Sequence, residues 1–438
     1  MGYLKTSCNK NNLAVVIFRS NLRTFDNPAL IDACSNFDTI VSLYSLEILQ
    51  GYNEGFEKCG KYRKEFIYQT LTVLQQKLDS KNISLFIVAD IVKALQQLSK
   101  EYAITLFYEK EVGVEEKIFE NTLNCYPHKT FLNQTMLDFF KFDYTKSFSH
   151  FKQKAQKLSI DNPQKDIKYQ SKNQREFEIE TMSLELNGID ILFLGGEDEA
   201  IKRVDYYFEN HLHSYLDTRA LIDGKDISTA LSPYLSVGAI SAKSVYKKLK
   251  SYEDKTYKSK SSYWIFFELL WRDFFYMVMA QSDNKLFLKT EIQNTKYDFK
   301  RDSILLDSFF DAKTGVDIID AGVIELKKTG WLSNRQRQLL ASYFCKNLGL
   351  DFRIGAAFFQ QYLIDYNPAS NYGNWAYQAG VGNDKSYRVF DPVKQSAQYN
   401  GKPYIKKWLH KNETRPQVDY QLLAQKVKNE VYENNKVL

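Results

Sequence analysis

The N-terminal third of the chain alternates short apolar runs with amphipathic segments. Apolar runs at 13–18, 39–43, 83–88 and 104–108 have the length and residue types of buried strands, and 62–78 repeats its apolar residues with a helical period. Strands separated by helices are typical of a parallel sheet covered on both faces. The pattern therefore predicts a Rossmann-like α/β domain.

The rest of the chain changes character twice. A polar stretch rich in Lys and Gln begins near residue 139, and after Gly195-Gly196-Glu197 almost every strong apolar pattern has a helical period. The predicted helical segments are 198–214, 241–250, 262–281, 333–347 and 355–364. We therefore expect the α/β domain over 1–135, an interdomain connection over 136–194 and an all-helical domain over 195–438.

Composition narrows the class of protein. The chain has 438 residues, 44% of them hydrophobic, and a formal charge of +6, which suits a polyanion such as DNA but equally suits a solvated basic surface. Its 5 cysteines form no CxxC pair, so we expect neither disulfides nor a structural zinc. With no signal core or apolar span, the expected protein is not secreted and not membrane-bound, but cytoplasmic, or nuclear or organellar in a eukaryote.

One predicted helix carries an unusual polar face. Glu268, Trp271, Arg272 and Phe275 are spaced i, i+3, i+4 and i+7, so a carboxylate, an indole and a guanidinium share one side of it. The ordinary interpretation is an intrahelical ion pair beside a buried Trp. The alternative is the wall of a binding site.

A second group of polar side chains lies at two predicted helix starts, the first capped by Ser333. The group is Asn334, Arg337, Gln338, Asp365, Asn367 and Asn371. Buried groups of this kind need partners, and the rim of a flavin ring offers both donors and acceptors, with Arg337 and Asp365 able to pair beside it. Segment 224–233 adds hydroxyls and N–H groups suited to a pyrophosphate, or it is an ordinary helix cap.

Five longer motifs give these residues a family context. They are FRSNLRTFDNPAL (18–30), STALSPYLSVGAIS (228–241), YWIFFELLWRDFF (263–275), TGWLSNRQRQLLASYF (329–344) and IDYNPASNYGNWAYQAGVGND (364–384). With them the chain resembles the photolyase/cryptochrome family from about residue 18 to 408. Asn374-Trp375, Gly382-Asn383-Asp384, Gln338 and the run 393–395 are most similar to its cryptochrome DASH branch.

The resemblance implies the photolyase fold, with FAD held among the helices of the C-terminal domain. The implied FAD contacts are Tyr215, Ser228, Thr229, Leu231, Ser232, Arg272, Asn334, Arg337, Asp365, Asn367 and Asn371. Asn371 would lie near flavin N5, where an amide tunes the stability of the reduced cofactor. The reaction implied is blue-light-driven splitting of cyclobutane pyrimidine dimers, preferably in single-stranded DNA, by electron transfer from reduced FAD and without a general base.

The resemblance also assigns residues to the DNA and to catalysis. The DNA and lesion set is Arg219, Glu268, Trp271, Arg335, Gln338, Tyr377 and Arg388, and the catalytic set is Glu268, Trp271, Asn371 and Trp375. Glu268 would hydrogen-bond the flipped pyrimidines and Trp271 would offer its ring face. The implied protein is a deoxyribodipyrimidine photolyase, a carbon-carbon lyase, and we expect a monomer.

The sequence departs from the family pattern in three respects. Asn367 stands where relatives usually carry Asp, and Asn21 replaces another Asp in the N-terminal motif. Only Trp375 remains of three tryptophans that carry electrons to the flavin, with Phe352 and Phe299 in the other places. Phenylalanine is far harder to oxidise than indole, so we expect slow photoreduction unless neighbouring tyrosines substitute.

Two further questions stay open at this level. Glu111 matches a family position that binds a methenyltetrahydrofolate antenna, although acidic loop residues are more often merely solvated. The alternatives to repair are a cryptochrome-type blue-light photoreceptor without repair activity and a nucleic-acid-binding protein with a vestigial flavin. Copurification of FAD and light-dependent loss of dimers discriminate among them.

Overall fold

The strands of the computed structural model form the sheet that the N-terminal pattern predicts. The model describes residues 11–141, 147–164, 177–288, 299–382 and 389–410. The strands are β1 (Asn11–Phe18), β2 (Ile40–Ser45), β3 (Tyr52–Asn53), β4 (Phe56–Glu57), β5 (Ser84–Val88), β6 (Tyr102–Glu109) and β7 (His128–Phe131). All neighbours in the order β5-β2-β1-β6-β7 are parallel, while β3 and β4 form a small antiparallel hairpin.

Helices cover the sheet and make up the rest of the molecule. Those associated with the N-terminal part are α1 (Pro28–Asn36), α2 (Lys61–Asp79), α3 (Ile91–Glu101), α4 (Val114–Leu123) and α5 (Phe148–Ala155). The following helices are α6 (Glu197–Asn210), α7 (Tyr215–Thr218), α8 (Ser232–Val237), α9 (Ala242–Lys255), α10 (Lys260–Ser282), α11 (Ser303–Phe310), α12 (Asp317–Thr329), α13 (Asn334–Ser342), α14 (Phe352–Tyr362), α15 (Pro368–Ala379), α16 (Pro392–Gln398) and α17 (Gly401–Leu409). The predicted fold class is confirmed. Within the described residues, no helix is both long enough and apolar enough to span a membrane.

Strand β1 shows why the sheet is central. Ala14, Val16 and Phe18 belong to the large core shared with the C-terminal helices, while Leu13 and Ile17 belong to a second core under α3. Successive side chains of a strand point to opposite faces, so an unbroken apolar run is what a doubly covered parallel strand requires. The short hairpin and β7 were not predicted because they are too short, and too polar in β7, to give a strand pattern.

The motif at 18–30 joins the sheet to the helical part. The backbone N–H of Leu22 donates to the carbonyl of Val237, and Arg23 Nη1 donates to the Gly238 carbonyl at 3.0 Å. Gly238 has a φ of +70°, and a Cβ built on it would lie 2.0 Å from the carbonyl oxygen of Ser20. Only glycine permits both the backbone conformation and this close approach.

A buried carboxylate makes a second connection. Asp273 of α10 is fully buried and accepts hydrogen bonds from the backbone N–H groups of Met136 and Leu137, at 3.2 and 3.0 Å. Burial raises the pKa of Asp273 to about 7, and Arg272 and these two donors offset only part of that rise. The helix that carries the predicted site is thereby tied to the connection after the sheet.

Glu325 is expected to make stability depend on pH. It lies buried on α12 and accepts a hydrogen bond from the Tyr404 hydroxyl of α17, and burial raises its pKa to about 8 in spite of that donor. The folded state therefore keeps its proton while the unfolded chain ionises near its ordinary value. The free energy of unfolding should fall as pH rises from about 5 to 8, by about 1.4 kcal/mol per pH unit at the steepest.

Glu325→Gln, which cannot ionise, should lack this contribution, as measured by thermal unfolding across the same pH range. Glu199, a partly exposed partner of Lys202, provides the matched control as Glu199→Gln. Parallel pH profiles for wild type and Glu325→Gln would contradict the assignment.

Candidate cofactor and substrate site

A cavity of about 460 Å³ opens among α7, α8, α10, α13 and α15. The residues predicted to contact FAD all line it: Tyr215, Ser228, Thr229, Leu231, Ser232, Arg272, Asn334, Arg337, Asp365, Asn367 and Asn371. They come from widely separated parts of the chain, so their convergence is a property of the fold. Their individual roles toward a cofactor stay predictions.

The pair predicted between Arg337 and Asp365 is present in the cavity wall. Arg337 Nη1 lies 2.9 Å from Asp365 Oδ1, and the Asp365 side chain is only 2% exposed. Arg337 Nε donates to the Leu332 carbonyl at 2.9 Å, and its guanidinium lies 5.0 Å from the Trp331 ring centroid. These contacts leave the guanidinium little freedom, so the pair is a fixed polar feature of the wall.

Asn367 uses both ends of its amide. Its Oδ1 caps α15 by accepting the Ser370 N–H at 3.1 Å, and its Nδ2 donates to the Tyr276 hydroxyl at 2.7 Å. Arg272 donates to the same hydroxyl at 3.1 Å and also to the carbonyls of Gln134 and Leu235. An aspartate could also cap the helix, but it would accept from the Tyr276 hydroxyl instead of donating to it, so the amide reverses the direction of this hydrogen bond.

Asn371 and Trp375 lie one turn apart on α15. Asn371 Nδ2 donates to the Ala356 carbonyl at 2.9 Å, which fixes the plane of the amide. Trp375 is 2% exposed, and its indole N–H has no partner among the described residues although the ring lines the cavity. A buried donor without a partner is costly in a native protein, so this wall suits a bound group with acceptors.

These walls fit FAD. The cavity has the volume of a cofactor site, with apolar surface, hydroxyls at Ser228, Thr229 and Ser232, and the Arg337–Asp365 pair at one wall. The set of donors and acceptors is what a flavin ring and its phosphates require.

The predicted lesion residues line the same cavity. Trp271 and Tyr377 present rings at 86° to each other with centroids 5.8 Å apart, and Glu268 and Gln338 also line the wall. Arg219 forms an ion pair with Glu268, and its guanidinium lies 4.2 Å from the centroid of another ring, that of Trp264. The two perpendicular aromatic rings and the nearby carboxylate together form a recess, hereafter the lesion wedge, that suits planar rings with polar edges.

One predicted DNA contact among the described residues does not line the cavity. Arg335 is outside the cavity lining, where it donates to Gln338 Oε1 at 3.0 Å and lies 4.6 Å from the Tyr399 ring centroid; burial lowers its pKa. Arg388 lies outside the described residues.

The interpretation of Glu111 as a merely solvated loop residue is wrong. Its carboxylate accepts the Ser20 N–H at 3.1 Å and lies 3.4 Å from Arg19. Antenna binding by Glu111 stays a prediction.

The sequence reasoning missed Phe148. This residue begins α5, and its ring stacks on Trp271 with centroids 3.7 Å apart and planes 7° from parallel. Phe148 is not part of the cavity lining, so it supports the indole from outside the cavity. Nothing in the polar pattern of the connection indicates this contact, because it joins segments more than a hundred residues apart.

Breaking the Arg337–Asp365 pair should release the cofactor. Asp365→Asn removes the charge that balances Arg337 in a partly buried wall, a loss of about 3 kcal/mol or more, so FAD affinity should fall roughly a hundredfold. The ratio of flavin to protein absorbance after gel filtration measures this. Asp391→Asn, at the half-buried N-cap of α16 and outside the cavity lining, is the control, and full FAD retention by Asp365→Asn would argue against the assigned role.

Comparisons with known proteins agree with this geometry. A family model described as DNA photolyase matches residues 14–159, and one described as the FAD binding domain of DNA photolyase matches 264–436. Cryptochrome DASH of Synechocystis sp. is 32% identical over 90% of this chain and 87% of its own length. Cryptochrome DASH of Xenopus laevis is 31% identical over 92% and 83%.

Solved structures give the same result. The crystal structure of the Synechocystis sp. cryptochrome superposes with a TM-score of 0.88 at 28% identity, covering 96% of this chain and 99% of that one. A bacterial class III photolyase from Agrobacterium tumefaciens superposes with a TM-score of 0.85 at 20% identity, over 99% and 100% of the two chains, which shows a shared fold.

Proposed function

The chain belongs to the photolyase/cryptochrome family and has its FAD-binding domain, and from this we propose that it repairs cyclobutane pyrimidine dimers in DNA under blue light. The observation that carries the proposal is one cavity with two kinds of wall. Arg337 and Asp365 stand among the residues suited to the cofactor, and Glu268, Trp271 and Tyr377 stand among those suited to the lesion.

Each lesion-side residue has a definite task. The perpendicular rings of Trp271 and Tyr377 offer apolar faces to pyrimidines taken out of the base stack. The Glu268 carboxylate can accept from an N–H on the edge of the dimer, and the ion pair with Arg219 holds that carboxylate in its orientation. FAD held by the residues of this wall, such as Arg337, Asp365 and Asn371, would in its reduced form supply light-driven electron transfer; the two carbon-carbon bonds that join the pyrimidines would open and the electron would return to the flavin.

The residues hold the substrate and exchange no proton with it. Because the electron is returned, there is no net oxidation and no general base is needed. Gln338 adds an amide at the wall, but its oxygen is engaged by Arg335. We propose DNA as the partner and single-stranded DNA as the preferred form, since a dimer in a single strand costs less to expose than one in a duplex.

A second function has one observation in its favour. Glu268 is engaged by Arg219, so the carboxylate that a dimer would use already has a partner. A photoreceptor that no longer repairs would keep FAD and could retain such an ion pair. The two functions differ in whether dimers disappear under light.

The deciding experiment uses the FAD-loaded protein with its flavin reduced. It is incubated with a dimer-containing oligonucleotide, single-stranded or duplex, in blue light and in darkness, and the remaining dimers are quantified by chromatography. Loss of dimers in light alone is the expected result, faster for the single strand. Equal dimer content in light and darkness would refute repair and favour the photoreceptor function.

A further inference from the structure

A row of half-buried aromatic side chains follows one face of α10 toward the cavity. Tyr263, Trp264, Phe267 and Trp271, hereafter the α10 stripe, recur at helical spacing, whereas Ile265 and other residues of the opposite face are buried. Neighbouring rings of the stripe contact one another: the Trp264 and Phe267 centroids are 4.6 Å apart, and those of Tyr263 and Phe267 6.1 Å. The stripe from Trp264 to Trp271 is about 10 Å long.

Two rings of the stripe each have a cation over them. Arg219, which follows α7, lies 4.2 Å from the Trp264 ring centroid, and Lys152 of α5 lies 5.6 Å from that of Phe267. Aromatic faces alternating with positive charges are the surface that nucleic-acid-binding proteins use for unpaired bases and their phosphates. An apolar protein partner would have no need of charges placed over the rings.

The stripe is continuous with the cavity. Trp271 ends the stripe and lines the cavity, and Arg219 lines the cavity while covering Trp264. Phe148 joins the two as well, because it stacks on Trp271 and meets the Phe267 ring edge to face at 5.2 Å. A strand whose dimer enters the cavity therefore has its neighbouring nucleotides beside Trp264 and Phe267.

We propose that the α10 stripe binds the single-stranded nucleotides next to the lesion by stacking their bases on Trp264 and Phe267, with Lys152 at a phosphate. The inference rests on the proposed action on DNA and deepens it by naming the source of a single-strand preference. A duplex keeps its bases paired and presents only phosphates to this surface, so the rings discriminate between the two forms.

The test measures binding of undamaged DNA by the full-length, FAD-loaded protein. Fluorescence anisotropy is recorded with a labelled oligothymidylate of about 16 nucleotides and with a hairpin duplex. The Trp264→Ala/Phe267→Ala variant should lose about tenfold or more in affinity for the oligothymidylate while its duplex affinity stays nearly unchanged. Tyr52→Ala, which removes a 72% exposed ring on the β3–β4 hairpin, should leave both affinities unchanged.

A second variant distinguishes loss of the ring faces from loss of the fold. Trp264→Leu/Phe267→Leu keeps apolar volume but removes the ring faces, and FAD content reports whether the fold is kept. Lys152→Gln should lower the salt dependence of oligothymidylate binding by about one counterion. Parallel loss for single strand and duplex, unchanged affinity in folded variants, or no oligothymidylate binding by the wild type would each overturn the inference.

Dimer repair by the same proteins separates this inference from the proposed function. A wild type that binds oligothymidylate through the stripe but repairs nothing would refute repair and keep the stripe. A wild type that repairs dimers while the alanine variant binds oligothymidylate normally would refute the stripe and keep repair.

Discussion

Glu268→Ala is expected to lower the rate of light-driven dimer repair about tenfold to a hundredfold while FAD stays bound. In the proposed mechanism this carboxylate, which lines the cavity, accepts a hydrogen bond from the dimer, and a hydrogen bond to a charged group contributes about 1.5–3 kcal/mol. Removing it also frees Arg219 from its ion pair. Repair under blue light and FAD absorbance are measured on the same sample.

Two comparisons make this result specific. Glu268→Gln keeps an acceptor oxygen and should lose less than Glu268→Ala, whereas loss of charge alone would make the two variants equal. Glu199→Ala removes a carboxylate that is also ion-paired, with Lys202, but lies outside the cavity lining. An unchanged repair rate in Glu268→Ala would remove this residue from the mechanism.

Photoreduction of oxidised FAD is expected to be slow in the wild type and faster by about tenfold or more in Phe352→Trp/Phe299→Trp. The ring centroids of Phe352 and Phe299 are 5.7 Å apart, and the rings nearest to Trp375 include Phe359 at 4.9 Å. A benzene ring is far harder to oxidise than an indole, and tenfold corresponds to about 1.4 kcal/mol of barrier.

Nearby tyrosines offer a poor substitute route. Tyr366 and Tyr372 are close to the site, and burial raises the pKa of both hydroxyls. A tyrosine passes its proton to a neighbouring acceptor when it is oxidised, whereas the Tyr372 hydroxyl faces a donor, Asn53 Nδ2, at 2.6 Å. Tyr366→Phe and Tyr372→Phe should therefore change the rate little.

Flash photolysis or steady illumination with an external reductant measures the photoreduction rate. Phe352 is fully buried, so the larger indole costs about 1–3 kcal/mol of stability, and Phe66→Trp at another fully buried position controls for this cost. Rapid photoreduction of the wild type, unaffected by the tyrosine substitutions, would contradict the expectation. Dimer repair does not depend on this route when the flavin is already reduced.

Local sequence patterns were sufficient to predict most of the longer strands and helices and to single out many of the candidate site residues. The apolar run at 13–18 predicted β1 because a doubly covered strand must be apolar on both faces, and the i, i+3, i+4 spacing placed Glu268, Trp271 and Arg272 on one face of α10. The longer motifs supplied the family resemblance, and with it FAD, Tyr215 and Tyr377. The interpretation of Glu268 and Arg272 as a simple intrahelical pair is wrong, since Glu268 pairs with Arg219 and Arg272 donates to Tyr276 and to two backbone carbonyls.

What local patterns could not supply are contacts between distant segments. The amide of Asn367 is bound by Tyr276, the indole of Trp271 is supported by Phe148, and Trp264 becomes part of a cationic surface through Arg219. Periodicity records which side of an element is buried but not which element covers it. The sequence thus determined the residue types and the faces of the elements on which they lie. Their partners are brought to them only when the helices pack, and these contacts create the cofactor wall, the lesion wedge and the aromatic stripe.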